Sequence, residues 1–216
     1  MDRERLLALF EALYQAYGPQ HWWPAATPFE VMVGAILTQN TAWSNVERAL
    51  AGLAALIPLQ AQAILDLPET ELAQCLRPVG YFNVKARRLR AFCRAFIDLG
   101  GMVAMPCLAT PELRHRLLAI HGVGPETADD ILLYAFDRPV FVVDAYTRRL
   151  LSRLGLLDGW EGYEAIRQGL EQALGPDPAL FNEYHALIVR HGKEICRPRP
   201  CCAACCLASG CQDRQR

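Results

Sequence analysis

Leu117-Leu118-Ala119-Ile120-His121-Gly122-Val123-Gly124-Pro125-Glu126-Thr127-Ala128-Asp129 is the stretch on which the fold turns. It joins two helical stretches through a Gly-x-Gly turn. A turn of this kind exposes backbone N–H groups at the start of the following helix, where the free amides and the helix dipole can hold a phosphate without any side-chain charge. Alone it is a weak signal, because many connections between helices contain glycine.

Outward from the turn the periodicity stays helical. Leu6, Leu7, Leu9, Phe10, Leu13, Tyr14 and Tyr17 trace one apolar stripe that Gly18-Pro19 stops. A buried helix is expected over Phe29 to Leu37, then Thr38-Gln39-Asn40-Thr41, then a helix from about Ser44 to Leu56. Pro58, Pro68, Pro78-Val79-Gly80, Gly100-Gly101, Pro106 and Pro111 divide the middle into short helices. Phe141-Val142-Val143 is the nearest thing to a strand and is too short to build a sheet. The expected class is all-α, and the segment after Asp158, richer in Gly and Pro, is expected to belong to a second lobe.

Composition agrees with a folded globular chain: 216 residues, 52% hydrophobic and 21% charged. The longest apolar runs, such as Val31 to Leu37, fall far short of the ~20 residues that cross a bilayer. Met1-Asp2-Arg3-Glu4-Arg5 is mixed in charge and leads into an amphipathic pattern, unlike a secretory signal, so a cytoplasmic protein is expected. Net charge is −1. Any nucleic-acid partner must therefore be held by a local patch rather than by bulk charge.

Two tallies stand out. Of the 22 basic residues only Lys85 and Lys193 are lysines, which limits covalent amine chemistry whether or not genome composition is the origin of the bias. Lys85 lies in the basic stretch Lys85-Ala86-Arg87-Arg88-Leu89-Arg90 and reads as a solvated face or a phosphate contact. Of nine cysteines, six lie within Cys196-Arg-Pro-Arg-Pro-Cys201-Cys202-Ala-Ala-Cys205-Cys206-Leu-Ala-Ser-Gly-Cys211. Cys196, Cys202, Cys205 and Cys211 are separated by five, two and five residues, a spacing that lets four thiolates surround one inorganic centre, zinc or iron–sulfur. A disulfide framework fits a cytoplasmic chain poorly. Cys201 and Cys206 leave the ligand register open, and Cys75, Cys93 and Cys107 read as core thiols.

Asp144, in Val142-Val143-Asp144-Ala145-Tyr146-Thr147-Arg148-Arg149, follows an apolar tripeptide and opens a helix. It reads either as an N-cap or as a carboxylate aimed from a helix start into a cleft.

Together the Gly122-to-Gly124 hairpin, Asp144 and the four-cysteine pattern resemble the helix–hairpin–helix DNA glycosylases related to endonuclease III, over about Phe29 to Cys211. The resemblance implies a six-helix domain over 26–138, with the hairpin motif at about 112–136. Residues 1–25 and 139–216 would form a second lobe that carries a [4Fe-4S] cluster in loop 196–211. The first spacing is one residue shorter than the six usual for endonuclease III. The implied partner is double-stranded DNA with a damaged base, bound in the cleft between the lobes by a nucleoid-associated monomer. The base is flipped out and the N-glycosidic bond cut. Gly122, Val123, Gly124 and Thr127 would contact the DNA.

Bifunctional members of that family carry, two residues after the second hairpin glycine, a lysine whose amine attacks the sugar C1′. Here that residue is Glu126, which cannot form an imine, so a monofunctional enzyme using water is expected. Asp144 would stay ionised and stabilise the oxocarbenium-like sugar. His21-Trp22-Trp23-Pro24 and Trp43 form either a hydrophobic lid or electron-rich faces for a cationic base. With Glu126 in the lysine position they resemble the 3-methyladenine glycosylase branch. That likeness implies a base pocket of Trp22, Trp23, Pro24, Trp43, Glu126 and Lys193, with Gln39 filling the gap the flipped nucleotide leaves. The competing expectations are a glycosylase for oxidised pyrimidines or mismatches with weak lyase activity, and a non-catalytic damage-binding protein.

Overall fold

The computed structural model describes residues 1–215. Among them the chain is helical, without a strand, as the periodicity requires. In order the α-helices are α1 (Arg3–Tyr17), α2 (Pro28–Leu37), α3 (Trp43–Ala54), α4 (Ala61–Asp66), α5 (Glu69–Cys75), α6 (Phe82–Asp98), α7 (Gly101–Ala104), α8 (Thr110–Leu118), α9 (Pro125–Asp130), α10 (Ala145–Arg153), α11 (Tyr163–Leu174) and α12 (Pro178–Glu194). Helix α9 continues into a π-turned segment, Ile131–Ala135. No helix among the described residues is long and apolar enough to cross a membrane.

Local chemistry sets these ends. Asp2 caps α1 by accepting from the amides of Glu4 and Arg5, and Gly18 ends it at φ 66°, a conformation cheap only for glycine. Thr27 caps α2 through the amide of Glu30.

The chain divides into two compact units, Pro24–Phe136 and Met1–Trp23 joined with the chain from Asp137 onward. In the first, α2 is the central element: every residue from Val31 to Leu37 is buried, and it packs on α3, α6, α9 and the π-turned segment. Lys85 of α6 is buried, not solvated. Its Nζ donates to the Leu37 carbonyl at 2.9 Å and the Val79 carbonyl at 2.8 Å, and so takes up a carbonyl at the end of α2 that has no intrahelical donor. The expectation of a solvated face failed because Lys85 shares its helical phase with buried Leu89 and Phe92. Arg114 of α8 grips fully buried Asp129 of α9 through two hydrogen bonds, 2.6 and 3.1 Å, which ties together the two helices flanking the glycine turn. Of the three expected core thiols only Cys93 is fully buried; Cys75 is half-buried and Cys107 exposed.

In the second unit α12 packs on α10 and α1. Tyr184 of α12 is fully buried, donates to the Leu6 carbonyl at 2.8 Å and meets Phe141 edge-on. Phe141-Val142-Val143 is thus a buried extended lead-in to α10 rather than a strand.

Candidate functional site

The hairpin is built in the unit Pro24–Phe136. Gly122 sits at φ 90°, and a Cβ there would stand 2.3 Å from the Arg88 side chain, so only glycine fits. The Val123 amide is spent inside the turn on the Ile120 carbonyl, at 3.0 Å, and is not among the donors offered outward. Gly124 is the N-cap of α9 and no side chain caps that helix, so its first-turn amides are not taken up by a capping side chain.

Gln39 bridges to this turn. Its Nε2 donates to the Gly122 carbonyl and to the Thr127 hydroxyl, both at 3.0 Å, and its Oε1 accepts from Arg88. Thr127 is 5% exposed, so its side chain, expected at DNA, instead faces inward as the acceptor for Gln39. Gln39 is half-buried, with its amide committed to the hairpin on three hydrogen bonds. Also in this unit, Glu126 is exposed in the first turn of α9, Pro24 is exposed, and Trp43, half-buried, opens α3.

Asp144 lies in the other unit as the N-cap of α10, and its Oδ1 accepts from the Thr147 amide at 2.7 Å. Its Oδ2 stands 3.6 Å from Nε2 of His185, an ion-pair distance rather than a hydrogen bond. Capping and charge placement use different oxygens, so the two readings of Asp144 are compatible. Burial pushes the carboxyl upward, but His185 and then the Thr147 contacts outweigh it and hold Asp144 below its ordinary value of 3.8. Sequence reasoning missed His185. The signal was there: a polar residue inside the apolar run Tyr184-His185-Ala186-Leu187-Ile188, all of it buried.

Trp22 and Trp23 of the same unit are half-buried with ring centroids 5.1 Å apart and planes at 43°. Lys193 of α12 places its Nζ 6.0 Å from the Trp22 ring centroid, a cation–π distance. Partial desolvation lowers the Lys193 amine from its ordinary range against the opposing pull of the Asp144 charge.

Cys196, Cys202, Cys205 and Cys211 line one cavity with Arg153, Ile195, Pro200, Ala208 and Asp213; its space of about 330 Å³ runs out into open solvent. Cys201 and Cys206 are exposed. No group of three or more His, Cys, Asp or Glu among the described residues is placed to hold a single metal ion. The cavity is braced from both helices below it. Arg153 of α10 donates to Cys196 Sγ at 3.2 Å and to the carbonyls of Arg197 and Pro198, and Arg149 donates to the Cys196 carbonyl at 2.8 Å. His191 of α12 places Nε2 3.7 Å from Cys205 Sγ.

This chain is similar to known proteins along most of its length. Residues 33–176 match the HhH-GPD superfamily of base excision DNA repair proteins. It is 44% identical over 211 residues to the DNA repair glycosylase candidate MJ1434 of Methanocaldococcus jannaschii, covering 96% of each chain. Its fold superposes on endonuclease III in a non-covalent complex with DNA at a TM-score of 0.85 and 20% identity, covering 100% of this chain and 97% of that one. The H. pylori 3-methyladenine DNA glycosylase MagIII, bound to 1,N6-ethenoadenine, matches at a TM-score of 0.77 and 29% identity, with 90% of this chain and 98% of that one covered. An all-α fold with a glycine hairpin, a carboxylate at a helix start and agreement over 96% of a relative at 44% identity lead to one conclusion: the chain belongs to the HhH-GPD superfamily of base excision DNA repair proteins and is a DNA glycosylase.

Proposed function

We propose that the chain is a monofunctional glycosylase that hydrolyses the N-glycosidic bond of N-alkylated purine nucleotides, such as 3-methyladenine, in double-stranded DNA. The observation that carries the chemistry is Asp144, buried yet anionic between the Thr147 amide and His185. As the C1′–N bond breaks, its electron pair leaves with the base and positive charge develops on the sugar. A fixed carboxylate at low dielectric stabilises that charge. Water adds to C1′ and its proton passes to solvent, while Asp144 acts by its charge and helps to orient the attacking water.

Two features support the substrate class. The Trp22–Trp23 pair supplies π-faces that stack on a cationic base, and the base of an N-alkylated purine already carries the charge that makes it leave. H. pylori MagIII, whose name carries that substrate, is 29% identical. Trp43, Pro24 and Glu126 are further candidates for base contact. Glu126 stands where bifunctional members carry their lysine, which supports hydrolysis by water over imine chemistry. Gly122 to Gly124 and the first turn of α9 are the candidate phosphate site.

The four cavity-lining cysteines fit a [4Fe-4S] cluster: they are the set with the family's order, they share one cavity, and Arg153 places a hydrogen-bond donor on Cys196. The bound cluster would staple the segment from Cys196 to Cys211 to itself just past the end of α12, where Arg149 and Arg153 of α10 brace it by hydrogen bonds. Incubation with duplexes carrying defined lesions, scored before and after alkali, tests the proposal. Release of 3-methyladenine with strand breaks only after alkali is expected, and breaks without alkali would overturn it.

A second reading has one observation in its favour. The Lys193 amine, lowered from its ordinary range, has the character of an imine-forming lysine. Borohydride trapping of a covalent adduct that disappears in Lys193→Ala would establish lyase activity.

A further inference from the structure

Behind the cysteine cavity lies a chain of polar groups that the glycosylase chemistry does not use. His191 is fully buried on α12, with Nε2 3.7 Å from Cys205 Sγ and Nδ1 2.7 Å from the hydroxyl of Tyr17, the last residue of α1. One imidazole therefore bridges the N-terminal helix and a candidate cluster ligand. We infer that Tyr17 and His191 are positioning residues for the cluster: His191 donates Nε2–H to the Cys205 sulfur, and Tyr17 fixes the tautomer that makes this donation possible. The inference rests on the reading of Cys196, Cys202, Cys205 and Cys211 as ligands.

The direction of the hydrogen bonds follows from proton inventory. A neutral imidazole has one N–H and one lone pair. A sulfur bound to iron is a thiolate with no proton to give, so a nitrogen facing it must be the donor. That assigns the proton to Nε2 and leaves Nδ1 as an acceptor, which the Tyr17 O–H satisfies at 2.7 Å. Arg190 stacks its guanidinium 4.9 Å from the Tyr17 ring centroid and donates to the Tyr17 carbonyl at 3.2 Å, holding the phenol in place. Hydrogen bonds to cluster sulfurs stabilise the more negative, reduced state and raise the reduction potential. On the opposite wall Arg153 donates to Cys196 in the same sense. Cys205 would thus be tuned by a neutral donor and Cys196 by a charged one.

The test uses full-length protein purified anaerobically, with iron content, the visible absorption band and the cluster's reduction potential measured by voltammetry on DNA-free protein. His191→Leu removes the donor and is expected to shift the potential negative and to speed bleaching by an iron chelator severalfold. Tyr17→Phe leaves the contacts to the four candidate ligand sulfurs in place, giving up only the Tyr17 hydroxyl's contact with Cys206, but frees the imidazole to adopt the other tautomer, and a negative shift is expected there too. His191→Gln, which restores an N–H donor, is expected to recover most of the wild-type value. A Tyr17→Phe variant with wild-type iron content and unchanged potential overturns the inference while the cluster reading stands. Wild-type protein without iron overturns both. Should His191→Leu fail to fold, Tyr17→Phe and His191→Gln decide the matter alone.

Discussion

At the scale of single residues, Asp144 caps α10 with one oxygen and, on the proposed reading, places its charge at the sugar with the carboxylate as a whole, and substitution separates the two roles. Asparagine caps a helix about as well as aspartate, so Asp144→Asn should leave the melting temperature nearly unchanged while single-turnover base release falls by about 10²-fold or more. Asp144→Ala loses the cap as well and should cost a further ~0.5–2 kcal/mol of stability in denaturant titration. An Asp144→Asn enzyme as fast as wild type would end the electrostatic assignment. The pH dependence follows from the same contacts. The folded carboxyl titrates below 3.8, so its stabilising contribution is complete above that value and is lost only as pH falls through the lowered one. The acid limb of base release due to Asp144 therefore lies below pH 3.8. His185→Asn, which removes the largest of the contributions that lower the carboxyl, should move that limb upward. Asp144 was legible from its place after an apolar tripeptide. Its partner was not, because pairing with His185 exists only once α10 packs on α12, 41 residues apart in the chain.

At the scale of elements, the glycine turn shows what local sequence can and cannot reveal. The turn and its flanking helices follow from Gly122-Val123-Gly124-Pro125 alone. The three-way hydrogen bonding of Gln39 to Gly122, Thr127 and Arg88 depends on where α2 ends and α6 passes, and no local pattern encodes it. Gly122→Ala faces both a left-handed φ and the Arg88 side chain, so loss of DNA affinity by about tenfold with helix content retained is expected in a binding titration. Lys85 offers a cleaner stability test. Burial is the main cause that lowers its amine to about 8 from 10.5, so between those values the unfolded chain binds more protons than the folded one. Stability from this group therefore rises with pH across that window. Chemical denaturation at pH 7.5, 9 and 10.5 should show this increment in wild type and not in Lys85→Met. At pH 7.5 Lys85→Met should be destabilised by about 1–3 kcal/mol, because the Leu37 and Val79 carbonyls lose their donor.

At the scale of the whole molecule, the class was legible because helical periodicity runs through nearly the entire chain. The division into two units was not something the proline and glycine breaks could encode, since it depends on contacts that bring α1 onto α12. Charge is the whole-molecule property with the sharpest consequence. The net charge is −1, and of the 22 basic residues Arg114, Arg116, Arg153, Arg167 and Arg190 are engaged in ion pairs with neighbouring carboxylates. Backbone amides at a hairpin bind phosphate without releasing as many counterions as a basic face would. Affinity for duplex DNA should accordingly depend only weakly on salt. With about four phosphates neutralised or fewer, the slope of log K against log salt should be no steeper than about −3.6, so raising salt from 50 to 200 mM costs less than about 200-fold. Fluorescence anisotropy across that range checks it. A slope near −8 would mean that a basic surface, and not the hairpin amides, does most of the holding. Arg88→Gln separates the two cases, since loss of a brace behind the hairpin lowers affinity without changing the slope, whereas loss of a phosphate contact makes the slope shallower by about one.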